Sequence, residues 1–333
     1  MKKRILAVML AMAMAFSLAA CSSGSSETET ETDTASSEES ADTVSEEEEE
    51  TDANFTSIDE VTLIDTDEFS LVVTGFDAVG DMLEAEFENK SYDGGLYDLS
   101  FEYVYVNGLA AYAYAVDLDF EEMPAAGESQ TTSICLYSTT VDGTISETVG
   151  DVTDIQLSVY IAALEEDGAN TYMSTEVLAS SDEDVHIYPD GEENASVYET
   201  EMSNEYADEY VTIGCNGEIT DYGILVYVQN TSDQYLDVVV ESATIDGTTY
   251  DGLDESSGSA SGYIALDPGY AGYIEVCVYD NDGNVIDAES LEAVFLVEGY
   301  ERPALDEILD WEYDWETLST ITITLPDCQE VTE

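Results

Sequence analysis

The side chains that most often carry out catalysis are scarce in this sequence, with the exception of carboxylates. The chain has 333 residues, of which 77 are Asp or Glu, 5 are Lys or Arg and one, His186, is a histidine. A single histidine excludes most histidine-dependent catalysis and most zinc chemistry. A catalytic thiol needs a neighbouring base or cation, and no His or Lys lies close in sequence to Cys135, Cys215, Cys277 or Cys328. We therefore expect neither catalytic residues nor a cofactor.

Paired carboxylates are the remaining route to an enzyme. A glycoside hydrolase uses two of them at a fixed separation, but a chain with 77 acids brings some pair to that separation in any fold. Solvated surface charge is the favoured interpretation, and a glycan hydrolase is the alternative. The net charge of −72 excludes nucleic acid as a partner, because that binding depends on Lys and Arg side chains that neutralise phosphates.

One short acidic segment has oxygen ligands at alternate positions, as calcium loops do. In the run Asp280-Asn281-Asp282-Gly283-Asn284, the candidate ligands are Asp280, Asp282 and Asn284. The glycine comes fourth rather than sixth, and the closing glutamate of an EF-hand is misplaced. The same residues are typical of a tight turn after a strand. The sequence favours the turn and leaves calcium as the weaker alternative.

A second acidic segment, residues 310–316, carries three aromatic residues. Trp311, Tyr313 and Trp315 alternate with acids, so an extended backbone would place all three rings on one side. Flat rings with carboxylates beside them could stack on a surface glycan or on the side chains of a protein ligand. The favoured interpretation is that they pack over the edge of the sandwich, and the binding face is the alternative.

Alternating apolar and polar residues predict the strands that would position these groups. Leu83, Ala85 and Phe87 alternate with glutamates, as expected for a strand with one buried and one solvated face. Many such short segments are bounded by Gly, Asn and Asp, and no long helical period accompanies them. This pattern predicts an all-β fold built from antiparallel sandwiches.

The two halves of the chain carry the same ordered set of motifs, 139 to 142 positions apart. The equivalent pairs are Asn89 and Asn230, Asn107 and Asp246, Gly127 and Gly269, and Cys135 and Cys277. Repetition at a nearly constant offset indicates two copies of one unit. We expect two tandem β-sandwich domains, residues 54–180 and 208–333, joined by an interdomain linker at residues 181–207.

The N-terminal residues have the features of an export signal. Lys2-Lys3-Arg4 precedes an apolar run at residues 5–16 and the small-residue sequence Leu18-Ala19-Ala20-Cys21, in the order expected of a signal peptide. The last four residues resemble the lipobox of bacterial lipoproteins. The resemblance implies cleavage after residue 20, a lipid on the Cys21 thiol, and an extracytoplasmic protein anchored to the cell membrane.

Residues 22–53 contain only Ser, Gly, Thr, Ala, Val, Glu and Asp. Such a segment cannot bury enough apolar surface to offset its ordering entropy. We therefore expect residues 21–53 to comprise the lipidated cysteine and a disordered acidic linker that holds the folded part away from the membrane.

The β-rich units also resemble immunoglobulin-like modules of unknown function in Gram-positive-type lipoproteins. The residues that carry this resemblance are 88–91 (Glu-Asn-Lys-Ser), 106–108 (Val-Asn-Gly) and 124–127 (Pro-Ala-Ala-Gly). It implies an immunoglobulin-like sandwich in each copy and a cell-surface location, and it supplies no catalytic residues.

Two local expectations concern the second copy. Cys215 precedes its early strands and Cys328 follows its last one, so the two could form a disulfide if those strands pair, or they could remain free thiols. Leu305, Ile308 and Trp311 could form one apolar helical stripe that covers an open sheet edge.

These expectations converge on a function. The sequence predicts a non-catalytic, lipid-anchored surface protein that acts as a binding or scaffold module, with a glycan hydrolase and a ligand-free structural spacer as the alternatives. Its partners would be the membrane, through the lipid anchor, and a surface glycan or protein.

Overall fold

The computed structural model describes residues 55–116, 118, 123–139, 145–167, 170–181, 184–193, 198, 200, 202, 204–215, 219–220, 222–252, 258–286, 288–309 and 314–331. The predicted signal peptide, Cys21 and the acidic linker lie outside these residues, as do Trp311 and Tyr313. Within the described part of the chain, no helix is long and apolar enough to cross a membrane.

Nearly all regular structure in the described residues is β-strand. The first copy comprises β1 Thr56–Asp65, β2 Phe69–Asp77, β3 Met82–Asn89, β4 Tyr97–Val106, β5 Leu109–Val116, β6 Glu128–Ser138, helix α1 Ile145–Val149, β7 Ile155–Asp167 and β8 Asn170–Ser180, followed by β9 Val185–Ile187. The second comprises β10 Asn204–Ala207, β11 Val211–Cys215, β12 Gly223–Asn230, β13 Tyr235–Ile245, β14 Thr248–Asp251, β15 Ser259–Ser261, β16 Tyr263–Leu266, β17 Ala271–Tyr279, β18 Leu291–Tyr300, a 3-10 helix Leu305–Glu307, β19 Glu316–Leu325 and β20 Gln329–Glu330.

The first copy is a sandwich-like arrangement of antiparallel strands around one core. One layer has the order β1-β2-β3-β6-β5, and the other contains β4, β7 and β8, with β9 also paired to β7. Phe87 of β3, Ile134 of β6 and Leu157 of β7 belong to the same buried cluster. Burial of alternate side chains from both layers is the main favourable contribution to such a fold.

The second copy repeats this pairing. Its layers are β10-β11-β12-β17 and β14-β13-β18-β19-β20, and Val226, Phe295 and Ile323 share its buried cluster. β3 and β12 coincide at an offset of 141 residues, and the pair Leu71 with Phe87 corresponds to Ile213 with Val228. The predicted all-β, sandwich-like fold is confirmed.

The repeated asparagine has the same structural role in both copies. Asn89 is buried and donates from Nδ2 to the Pro124 carbonyl oxygen at 3.0 Å, and Asn230 donates to the Leu266 carbonyl oxygen at 3.0 Å. The backbone carbonyl oxygen of each asparagine also accepts the N–H of a glycine that precedes β6 or β17. Gly127 donates to Asn89 at 2.7 Å, and Gly269 donates to Asn230 at 3.1 Å. These glycines have φ of +85° and +86°, a left-handed conformation that glycine adopts without steric cost. The repeated motif therefore fixes the loop that enters β6 and β17.

The two copies are joined within one compact unit. Ala271 of β17 pairs in parallel with Leu109 of β5, and the described residues of both copies belong to the same compact unit. A Cβ at Gly272 would lie 3.0 Å from the Cβ of Ala110, so glycine permits the close approach of β17 to β5. Of the predicted linker, residues 185–187 form β9 and residues 204–207 form β10. The division into two independent domains stays a prediction.

Trp311 of the expected helical stripe lies outside the described residues, so the stripe as a whole stays a prediction. Among the described residues of the segment, only Leu305–Glu307 is helical, as a 3-10 turn. Leu305 packs with Tyr160 and Ala162 of β7. The segment therefore covers the first copy rather than the sheet edge of its own copy.

Candidate functional site

The outward face of the first layer carries an exposed cluster of tyrosines. Tyr112 and Tyr114 are on β5, where the intervening Ala111 and Ala113 pack against the core. Tyr112 lies directly opposite Tyr137 of β6, and directly opposed residues of an antiparallel pair project on the same side. Because side chains alternate along a strand, burial of the two alanines places the tyrosine rings on the solvent side of the sheet.

The ring of Tyr137 contacts the rings of both Tyr112 and Tyr114. The centroid of Tyr137 lies 5.4 Å from that of Tyr112 and 5.6 Å from that of Tyr114. The exposed fractions are 54% for Tyr112, 50% for Tyr114 and 40% for Tyr137. A tyrosine side chain offers a rigid apolar ring with a polar hydroxyl at its tip, and tyrosine is enriched at protein recognition sites for this reason.

Glutamates continue the same face away from the tyrosines. On β3, Glu84, Glu86 and Glu88 alternate with buried residues, and Glu84 pairs with Ser133 of β6. Ser133 also lies opposite Val116 of β5. Glu84, Ser133 and Val116 therefore form one row across β3, β6 and β5, and they project on the same side of the sheet as the tyrosines. We call Tyr112, Tyr114, Tyr137, Glu84, Glu86 and Glu88 the tyrosine–glutamate face.

Sequence reasoning missed this face, although its signals were present. The alternation of Tyr112 and Tyr114 with small residues predicts a strand with aromatic residues on one side. The position of Tyr137 beside them depends on the pairing of β5 with β6, which no local pattern specifies.

Of the predicted aromatic site, only Trp315 lies among the described residues. Its indole Nε1–H donates to Oδ2 of Asp237 at 2.7 Å, and the hydroxyl of Tyr263 donates to Oδ1 at 2.9 Å. Burial raises the pKa of Asp237 to about 6, and these two hydrogen bonds oppose the rise. Trp315 is half-buried and is hydrogen-bonded within the second copy. The ligand-binding role of Trp311, Tyr313 and Trp315 stays a prediction.

The candidate calcium residues form a hydrogen-bonded turn. Oδ1 of Asp280 accepts the backbone N–H of Asp282 at 2.8 Å and that of Asn284 at 2.9 Å, while the amide of Asn284 donates to both of its carboxylate oxygens. These N–H bonds lower the pKa of Asp280. Among the described residues, no group of three or more His, Cys, Asp or Glu could hold a metal.

A buried polar network lies between the two copies. Arg302 of the second copy donates to both carboxylate oxygens of Asp184, to Oδ2 of Asp267 at 3.2 Å and to Oγ of Ser158 at 2.9 Å. Its guanidinium carbon lies 3.5 Å from the ring centroid of Tyr103. Asp184, Ser158 and Tyr103 precede the second copy, so Arg302 connects the two.

A bulge in β4 positions the aromatic part of this network. The pairing of β4 with β7 is irregular between Glu102 and Tyr105, and Tyr103 has a φ of +50°, which is rare for a bulky residue. The bulge directs Tyr105 into the core of the second copy, where it stacks on Tyr270 at 4.2 Å. The Tyr105 hydroxyl accepts the backbone N–H of Asp267 at 2.8 Å.

Two carboxyls in this region have raised pKa values. Burial raises the pKa of Glu102 to about 7 and that of Asp267 to about 6, and the positive charge of Arg302 opposes both shifts. Burial also acts to raise the pKa of Asp184, but there the guanidinium of Arg302 and the hydroxyl of Ser158 together outweigh it, so that the pKa is lowered.

Neither His186 nor a small pocket in the second copy extends this chemistry. Nδ1 of His186 lies 2.9 Å from Oδ1 of the buried Asp154, and its ring stacks on Tyr188. This pocket is bordered mainly by apolar residues, among them Ile219, Val276 and Leu291, and none of the described residues that line it is acidic.

A scan against protein-family models, a search of curated proteins and a search of solved structures each returned no match for this chain. The structure defines the class of the protein as all-β and sandwich-like.

Proposed function

We propose that this chain is a non-catalytic, lipid-anchored surface protein that binds a cationic segment of a partner protein through the tyrosine–glutamate face. The observation that carries the proposal is the clustering of three exposed tyrosines, with the ring of Tyr137 in contact with the other two, on the same sheet face as a row of glutamates. Such a face offers ring surfaces and negative charge together.

Charge complementarity favours a cationic protein segment as the ligand. The chain has a net charge of −72, and complementary charge accelerates encounter between partners. Arginine in particular combines stacking on aromatic rings with bidentate bonds to carboxylates. A segment that bears arginine could place guanidinium groups on the tyrosines and further positive charge along the glutamates.

The protein itself contains an example of this recognition. Arg302 stacks over Tyr103 at 3.5 Å while its guanidinium binds the carboxylates of Asp184 and Asp267. A guanidinium group is therefore bound by a tyrosine ring and carboxylates together inside this protein. The tyrosine–glutamate face presents rings and carboxylates at the surface.

The test is binding of an arginine-rich peptide to the full chain, measured by calorimetry at several salt concentrations. A lysine-rich peptide of equal charge and a neutral glucan oligosaccharide serve as comparison ligands. We expect the double variant Tyr112→Ala/Tyr137→Ala to weaken arginine-peptide binding about tenfold, because each exposed cation–π contact contributes about 0.5 to 1 kcal/mol.

Matched controls separate this site from general attraction to a polyanion. Tyr222 is 51% exposed, and Glu241 is exposed on β13; both lie outside the face. Tyr222→Ala and Glu241→Gln should leave the affinity unchanged, whereas Glu86→Gln should lower it. Equal losses for control and face variants would refute the site, and binding of the oligosaccharide alone would change the ligand class to a glycan.

The lipid anchor has its own test. Because thioether attachment needs the sulfur of Cys21, Cys21→Ala should abolish incorporation of labelled fatty acid and leave an unprocessed precursor. Cys277→Ala, which keeps the sulfur of Cys21, serves as the control. Equal labelling of Cys21→Ala and the unaltered chain would remove the anchor from the proposal.

A glycan hydrolase is the second candidate, and one observation favours it. Glu102, whose pKa burial raises to about 7, interacts electrostatically with the exposed Tyr112, and a carboxyl that is protonated near neutral pH can serve as a general acid. Turnover in a panel of glycosides that is lost in Glu102→Gln, with the melting temperature maintained, would replace the binding proposal with this one.

A further inference from the structure

Two buried cysteines meet where the layers of the second copy come together. Cys215 ends β11 in one layer, and Cys328 lies in the turn between β19 and β20 of the other. Both belong to the same buried cluster, with exposed fractions of 1% and 4%. The four cysteines among the described residues are free thiols, and interaction with the Cys328 thiol raises the pKa of the Cys215 thiol.

The surrounding contacts hold this edge closed. β10, the partner of β11, lies against β20. The hydroxyl of Ser319 on β19 donates to Oδ2 of Asp208 at 2.9 Å, which provides a second connection between the layers. These contacts keep the end of β11 close to the turn after β19, and such proximity of the two backbones is what a disulfide requires.

The environment of the pair argues against a catalytic thiol. Hydrogen bonding to Cys328, burial and the nearby Asp327 all raise the pKa of Cys215, so the reactive thiolate is disfavoured in the folded state. Oxidation is therefore expected while the chain folds and the thiols are still accessible. This is the behaviour of a structural disulfide rather than of a redox catalyst.

We propose that Cys215 and Cys328 form a structural disulfide that links the two layers of the second copy. In the reaction each thiol loses one hydrogen, a sulfur–sulfur bond forms, and the two electrons and two protons reduce the disulfide of an exchange partner, such as a thiol oxidoreductase or oxidised glutathione, to two thiols. Formation in the cell depends on the export proposed above, since disulfides persist in oxidising compartments. The sulfur geometry is independent of export.

The test is oxidative refolding of the full chain in a glutathione buffer. The refolded protein is alkylated in denaturant and digested with a glutamate-specific protease under non-reducing conditions, because few sites for trypsin exist in this chain. We expect one cross-linked pair of peptides, containing Cys215 and Cys328, and alkylated Cys135 and Cys277.

The thermal stability gives an independent readout. A bond between positions 215 and 328 closes a loop of 113 residues. Such a loop stabilises the fold by restricting the unfolded chain. We therefore expect the melting temperature to fall by on the order of 10 °C when a reductant breaks the bond. The variant Cys215→Val should melt at a temperature that reductant does not change. Valine preserves the packing, since the equivalent residue of the first copy is the fully buried Val73.

The control is Cys277→Ser, which removes a buried thiol of the same copy outside the pair and should retain the response to reductant. Alkylation of Cys135, Cys215, Cys277 and Cys328 to equal extent after refolding would overturn the proposal. A cross-link between another pair, a glutathione adduct in place of the cross-link, or a response to reductant that persists in Cys215→Val would also overturn it. None of these results depends on export or on the tyrosine–glutamate face.

Discussion

Replacement of Arg302 by methionine tests whether the polar network between the two copies stabilises the folded chain. Methionine retains much of the apolar stem and removes the guanidinium, which contacts Asp184, Asp267, Ser158 and the ring of Tyr103. The variant leaves two carboxylates of the junction without their cation.

The magnitude follows from how deeply these groups are buried. The side chains of Arg302 and Asp267 are 11% and 6% exposed, and that of Asp184 is 28% exposed. Removal of one partner from a buried ion pair costs about 3 to 5 kcal/mol. Water reaches Asp184 and screens part of the effect, so we expect a loss near the lower end, about 3 kcal/mol.

The loss should also depend on pH. Burial raises the pKa of Asp267 to about 6, and Arg302 opposes the rise, so the pKa should be higher still without the arginine. A carboxyl with a raised folded-state pKa stabilises the fold most when protonated, and this contribution is lost as the pH rises through that pKa. The destabilisation caused by Arg302→Met should therefore be larger at pH 8 than at pH 5.

Equilibrium unfolding in urea at both pH values provides the measurement, with Lys90→Met as the matched control. Lys90 pairs with Asp65 at 2.6 Å, but Asp65 is 71% exposed, and exposed pairs contribute about 1 kcal/mol or less. Both variants remove one positive charge from the same polyanion. If Arg302→Met costs no more than Lys90→Met, or if its cost is the same at pH 5 and pH 8, the buried network does not stabilise the chain as argued.

Three further predictions concern the buried polar groups. Asn89→Ala and Asn230→Ala should each lower the free energy of unfolding by about 3 kcal/mol, because each leaves buried loop groups without partners; a large difference between them in urea titrations would contradict the equivalence of the copies. Trp315→Phe should cost about 1.5 to 3 kcal/mol by removing the N–H bond to the carboxylate of Asp237, and an unchanged unfolding midpoint would contradict it. Because the pKa values of Glu102 and Asp237 are raised, the melting temperature should decrease as the pH is raised from 5 to 8. A melting temperature that increases over this range, measured by calorimetry, would show that these carboxyls are solvated.

Local sequence patterns determined the strands and their repetition. Alternation such as that of Leu83, Ala85 and Phe87 identifies a strand because the side-chain period of a strand is two residues. The repeated asparagines were visible because both copies need the same buried amide at the same loop. These features depend on residues close together in the chain, and the all-β fold followed from them.

The tertiary structure decided what the strands bring together. The pairing of β5 with β6 places Tyr137 beside Tyr112, and the meeting of β11 with the turn after β19 places Cys215 beside Cys328. Arg302 reaches Asp184 across 118 positions of sequence. Such contacts depend on register and layer packing, which are set by the burial of many side chains at once rather than by any local pattern.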